Sequence, residues 1–207
     1  MAGSSANNAV SLSGTPEKQL TLALALDLKA ELAAQGAAAG ERIKIVLTRT
    51  ADVNVNVTGA TRAGAAARHG AAAFVSIHFN GSADRKVRGP ETFYRADQNG
   101  NANPAADLAF ARAVHSGLVA GLRAVGLGGK DRGVRPDTLT ALGALGVLNG
   151  ARLGGKCCAA LCEIEFITHS EVDRLLVSGP EAQGNRRLVA RSMAAAIRAA
   201  LAKAAGL

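Results

Sequence analysis

The sequence predicts one α/β domain whose sheet, mainly parallel or mixed, is flanked by helices on both faces. Segments with helical spacing alternate with short apolar or β-branched runs, the pattern of a sheet built by crossover connections. One of those runs, Phe74–Asn80, is nearly continuously apolar, as strands buried on both faces are. The chain has 207 residues, 48% of them hydrophobic, with only 5 Pro, which suits a single globular domain over 1–207.

Each element follows from local signals. Residues 1–14 are polar and rich in Gly, Ser and Asn, and read as a loop. Thr15 is a good N-cap and Pro16 suits the first helical position; Leu20, Leu24, Leu28 and Leu32 then repeat at i, i+4 as a buried stripe, with a stop expected at Gln35-Gly36. Ile43–Arg49 is short and β-branched and reads as a strand. An Ala-rich helix is expected over 59–70, ended by Gly70. Phe74–Asn80 and Gly89–Arg95 are the next two strands. Ala105–Val125 is an amphipathic helix carrying Leu108, Ala111, Val114, Leu118 and Leu122. Gly126–Gly150 is loop-rich, Cys158–Ile167 is the last strand, and Asn185–Ala205 is a terminal helix.

Composition narrows the function. No run approaches the roughly 18 apolar residues of a membrane span, and Met1–Asn8 lacks the basic and apolar regions of a signal peptide. The 24 Lys and Arg exceed 16 Asp and Glu, for a net charge of +8, which favours polyanionic partners such as nucleic acid, anionic lipid or bacterial wall. Aromatic residues are 3%, with no Trp, too few for a base-stacking surface, and no nucleic-acid motif accompanies the charge. A nucleic-acid partner is therefore not expected. Cys157, Cys158 and Cys162 lack zinc spacing and read as small buried residues.

In sheets of this kind ligands sit beyond the carboxyl ends of the strands. His78 lies near such an end, on one face with Ser76 and Asn80, and is either a ligand or a core histidine bonded to a carbonyl. Glu163 and Glu165 are expected to share a face of an otherwise apolar strand. A buried unpaired carboxylate is costly there, so each is either salt-bridged or a proton carrier with a raised pKa. Glu17 suits the helix dipole, yet it also heads the leucine stripe and points toward the sheet, where a carboxylate beside an imidazole can hold a metal. His69, His115 and His169 read as structural or surface residues, and Arg49 and Arg62 as partners for Asp52.

With these residues set out, the sequence resembles the zinc-dependent N-acetylmuramoyl-L-alanine amidases that cleave bacterial peptidoglycan. Gly14-Thr15-Pro16-Glu17-Lys18 followed by Leu20 resembles the segment bearing the family's glutamate ligand. Val46-Leu47-Thr48-Arg49 with Asp52 and Arg62 resembles the next strand and helix. Phe74-Val75-Ser76-Ile77-His78-Phe79-Asn80 resembles the histidine-ligand strand, and Cys162-Glu163-Ile164-Glu165-Phe166-Ile167 the strand of the catalytic glutamate. The resemblance implies a zinc-amidase-like fold, Zn2+ as cofactor held by Glu17 and His78, Glu163 as the catalytic residue, and Asn80 orienting His78 or touching substrate. It places Glu165 where the family has a small residue. It implies a second histidine ligand in a Gly-His-Gly-type loop at about residue 1 or 2, where Met1-Ala2 stand, with Gly3-Ser4-Ser5 as the tail of that loop and the family's first strand ahead of Met1. The implied partner is peptidoglycan or its muropeptides, met in the periplasm, outside the cell, or by a phage lysin. A silent peptidoglycan-binding relative and a related zinc exopeptidase are the alternatives.

Overall fold

Leu20, Leu24, Leu28 and Leu32 are all buried along helix α1, Glu17–Ala38, so the i, i+4 stripe is the face that α1 turns to the core. The computed structural model describes residues 9–52 and 58–206. The expectations for Met1–Ser5 fall outside the described residues. Ahead of α1 the chain makes a tight turn: Val10 bridges Pro16, the Glu17 amide donates to the Ala9 carbonyl (2.8 Å), and Ser13 donates to Asp173 through its amide (3.1 Å) and hydroxyl (2.8 Å). Pro16, rather than Thr15, is the N-cap residue, and it makes no side-chain cap bond. The helix also runs through Gly36, because a Cβ there would meet Ile43 Cδ1 at 2.9 Å and its absence lets the following segment pack close.

Helix α2, Gly59–Arg68, is capped by Thr58, whose hydroxyl accepts from the Thr61 amide; the chain then turns at Gly70, whose φ is +56°. Strand β1 is Ala73–Asn80 and β2 is Glu91–Tyr94. Helix α3, Pro104–Ala124, buries Phe110, Ala111, Val114, Leu118 and Leu122, while Leu108 is only half-buried. The loop-rich stretch after it contains a short strand β3, Gly133–Pro136, and a one-turn helix α4, Gly150–Leu153, neither of which local periodicity announces. Strand β4 is Cys158–Phe166; α5, Ser170–Val172, leads into a π turn over Asp173–Ser178, and α6 is Ala182–Ala205. Among the described residues no helix is long and apolar enough to cross a membrane.

The sheet is mixed, in the order β1-β4-β2-β3. Strand β4 pairs parallel with β1 and antiparallel with β2, and β2 pairs parallel with β3. As the most apolar strand, β4 lies inside the sheet, with Ala159, Ala160 and Cys162 fully buried. One face packs on α1, α3 and α6, the other on α2 and α4 with Phe93, Leu148 and Leu153. The three cysteines are free.

The expected strand Ile43–Arg49 is not part of the sheet. Ile43, Ile45, Leu47 and Arg49 are half-buried and alternate with exposed Lys44, Val46 and Thr48, so the segment has the period of a strand, but it joins no ladder among the described residues. A cavity of about 560 Å³ lies between it and β1, lined also by Thr21, Phe74, Val75 and Ile77. A strand needs a neighbour within hydrogen-bonding reach, and here the nearest open edge, that of β1, is across that space.

Candidate active site

The register of β1 on β4 sets His78 beside Glu163, and the antiparallel register of β4 on β2 sets Glu163 beside Glu91. Directly paired residues point to the same face, so the imidazole and two carboxylates form a row across three strands. Just beyond His78 the register slips, with Asn80 opposite Phe166, a bulge at the strand end of the kind that re-aims side chains near active sites. Glu17, first residue of α1 and buried at 4% exposure, completes the group: its Oε1 lies 2.9 Å from His78 Nδ1 and accepts from the Phe79 amide at 3.3 Å. Glu17, His78, Asn80 and Glu163 all line a polar pocket of about 480 Å³ that extends to Gly81–Ala83 and Thr168.

Electrostatics divides the roles. Burial works to raise the Glu17 carboxyl, but its hydrogen bond and attraction to His78, with the Phe79 amide, outweigh this and hold it below its ordinary value. Burial lowers the His78 pKa, a shift the Glu17 bond only partly offsets. At neutral pH the pair is therefore carboxylate and neutral imidazole, with Nδ1–H donating to Glu17 and a lone pair left on Nε2. Glu163 moves the other way: burial first, then the charges of Glu17 and Glu91, push its pKa up to about 8. Its Oε2 is buried with no hydrogen-bond partner among the described residues.

The other expected residues separate from this group. Glu165 accepts from the Gly89 amide (2.8 Å) and the Phe166 amide (3.0 Å) and sits 3.8 Å from Arg88, so it ties β4 to the loop before β2. Asn80 donates to Glu91 (2.9 Å). Arg49 does not pair directly with Asp52: it donates to the Lys18 carbonyl, Thr21 Oγ1 and the Ala51 carbonyl, while Asp52 takes the shorter Lys18 ammonium at 3.1 Å. Arg62 lines the larger cavity. His115 is structural, bridging Thr92 (3.0 Å) and Asp131 (2.8 Å); His169 accepts from the Glu171 amide, and His69 is the exposed C-cap of α2. Glu91 escapes the sequence reading, as do Arg132 and Arg135, which meet it: they reach the row only through strand pairing.

A family profile described as N-acetylmuramoyl-L-alanine amidase matches residues 2–199. The chain belongs to the N-acetylmuramoyl-L-alanine amidase family. Hydrolysis of the amide between the muramoyl lactyl group and L-alanine is the amidase reaction. Among solved structures, the amidase fold is similar to the catalytic domain of CwlV, an N-acetylmuramoyl-L-alanine amidase from Bacillus (Paenibacillus) polymyxa var. colistinus. The two share 26% identity over 97% of this chain and 93% of that one, with a TM-score of 0.73. The N-acetylmuramoyl-L-alanine amidase AmiC2 of Nostoc punctiforme is also 26% identical over 97% of this chain and 92% of its own, with a TM-score of 0.69. An N-acetylmuramoyl-L-alanine amidase from Clostridium difficile 630 shares the fold at 23% identity, covering 97% and 92%, with a TM-score of 0.72. No curated protein matched. The amidase lineage accords with the expected single α/β domain, whose sheet is mixed and flanked by helices on both faces.

Proposed function

We propose that this amidase cleaves peptidoglycan by a zinc-assisted route, with Glu17 and His78 as two of the metal's protein donors and Glu163 as the proton carrier. The carrying observation is the convergence of three groups in one pocket: a buried carboxylate and a neutral imidazole 2.9 Å apart, beside a glutamate whose Oε2 has no hydrogen-bond partner among the described residues. An oxygen and an imidazole nitrogen suit zinc. The donor set is short, however. Among the described residues no three His, Cys, Asp or Glu side chains form a metal-holding group, and residues 1–8, 53–57 and 207 contain none of those types.

Zinc, when bound, supplies a water of lowered pKa and a polarised carbonyl. Glu163 takes the proton of the attacking water and delivers it to the departing L-alanine nitrogen, a task suited to a carboxyl whose pKa lies near neutrality. Glu17 Oε1 and His78 Nδ1, which face each other at 2.9 Å, would hold the metal once Nδ1 gives up its proton, and the Phe79 amide helps keep Glu17 ionised. The substrate places the work in the periplasm, outside the cell, or at a wall attacked by a phage lysin.

Half the donors of a structural zinc site correspond to roughly half of its ~10–16 kcal/mol, a Kd between about micromolar and a few hundred micromolar. Zinc binding to metal-stripped protein, followed by calorimetry, is expected to weaken further in both Glu17→Ala and His78→Ala. Glu163→Ala should keep zinc and lose release of peptide from muropeptides. Unchanged zinc binding in both donor variants would overturn the metal assignment, and cleavage by Glu163→Ala would overturn its role. The missing third donor favours a second reading, a silent member that binds wall fragments, for which muropeptides bind without release of peptide at any zinc concentration.

A further inference from the structure

Glu91 is 5% exposed and faces Glu163 in register, yet the proposed chemistry does not use it. Its Oε1 accepts from Asn80 at 2.9 Å, and its Oε2 faces two guanidinium groups: Arg135 Nη1 donates at 3.2 Å, and Arg132 Nε lies at the same distance but off the line of a hydrogen bond. Arg132 is further held over the Phe166 ring, 5.4 Å from its centroid. One carboxylate cannot neutralise two guanidiniums, so a positive charge is left over beside an acidic site. Both side chains remain partly exposed, 27% for Arg132 and 35% for Arg135. Each directs one nitrogen at Glu91, and their other donors have no protein partner among the described residues. A fork fixed at one end by a buried acid is arranged for planar recognition of a second carboxylate.

The sheet order fixes how far away that carboxylate lies. Arg135 is on β3 and Glu163 on β4, with β2 between them. Neighbouring strands are ~4.8 Å apart, so two spacings are about 10 Å. An extended peptide advances ~3.3–3.6 Å per residue, so this distance corresponds to about three residues. The muramoyl lactyl carboxyl is consumed in the scissile amide, leaving the stem peptide as the source of a free acid.

We propose that Arg132 and Arg135, braced by Glu91, bind a carboxylate of the stem peptide about three residues beyond the scissile amide. This rests on the amidase reading but is tested through binding, so that the two can fail separately. Calorimetry in a Glu163→Gln background, which prevents turnover, compares a muropeptide bearing free carboxylates with the same muropeptide amidated at them. Arg132→Gln and Arg135→Gln should each weaken the free acid about ten-fold or more and change the amidated ligand by less than about two-fold. Arg135→Lys, which keeps the charge on a half-exposed residue and leaves the packing of Phe166 alone, should lose part of the preference. Equal losses for both ligands, or no loss, overturn the inference alone. A chain with intact arginines that binds neither ligand overturns it together with the peptidoglycan reading.

Discussion

At the scale of the residue, Glu163 sets a pH signature that can be read without substrate. Its pKa in the folded chain is about 8 against an ordinary 4.5, so folded protein keeps a proton that unfolded protein releases between those values. Stability contributed by that proton is present below about 4.5, falls as pH rises through 8, and changes no further above it. In Glu163→Gln the dependence disappears. Urea denaturation in chelator at pH 5 and pH 8.5 should show the parent losing on the order of a few kcal/mol relative to the variant; parallel losses would remove the buried, proton-holding glutamate from the argument. Glu165 and Asp107, also raised by burial, act in the same direction but are common to both proteins and cancel. Helical and strand periods marked Glu17, His78 and Glu163 as candidates with a structural alternative open for each, and the family resemblance singled them out together; the structure brings all three to one pocket. Glu91, Arg132 and Arg135 were not legible in the sequence, because their meeting depends on the register of two short strand pairings, and no local pattern encodes register.

At the scale of the element, α3 packs closely against α6, where Gly117 and Gly121 lie one turn apart. A Cβ on Gly117 would stand 2.6 Å from Ala196 Cβ and 2.7 Å from the Ser192 carbonyl oxygen; one on Gly121 would stand 2.7 Å from Val189 Cα. These contacts are largely with backbone and Cβ atoms, which cannot rotate away, so the helices must separate. Gly121→Ala gains helix propensity worth under about 1 kcal/mol yet should destabilise by about 1–3 kcal/mol through overpacking, seen as a lower denaturation midpoint at unchanged far-UV circular dichroism. A rise in the midpoint would show that the α3–α6 approach is looser than these distances. The long helices were readable from their apolar stripes, and β1 and β4 from their apolar runs. Strand β3 was not, since Gly133-Val134-Arg135-Pro136 has one β-branched residue between a Gly and a Pro and shows no alternation; it exists because β2 offers it an edge. Ile43–Arg49 is the reverse case: it has the composition and alternation of a strand but pairs with none of the described strands, so local preference alone does not make it one.

At the scale of the whole molecule, the cavity of about 560 Å³ between Ile43–Arg49 and β1 is a departure from close packing. It has an apolar lining, an extended segment on one side and the open edge of β1 on the other, which is the shape of a place for one more strand. Ala9 sits against Gly81, where a Cβ would lie 2.8 Å from Ala9 Cβ, so the chain comes in beside the carboxyl end of β1, where a strand parallel to β1 would finish. Completing the sheet there would pair two sets of backbone groups and bury the apolar side chains at the inward positions. A net gain of a few kcal/mol corresponds to a Tm rise of about 5–10 °C for a chain of this size. Fusing eight residues of alternating Val and Ile ahead of Met1, with no histidine among them, should produce that rise and protect the β1 amides from hydrogen exchange. The same extension with Lys and Glu at the inward positions should not. Equal Tm values for the two fusions, with β1 amides unprotected in both, would mean that the cavity closes by collapse of Ile43–Arg49 onto β1, not by accepting a strand.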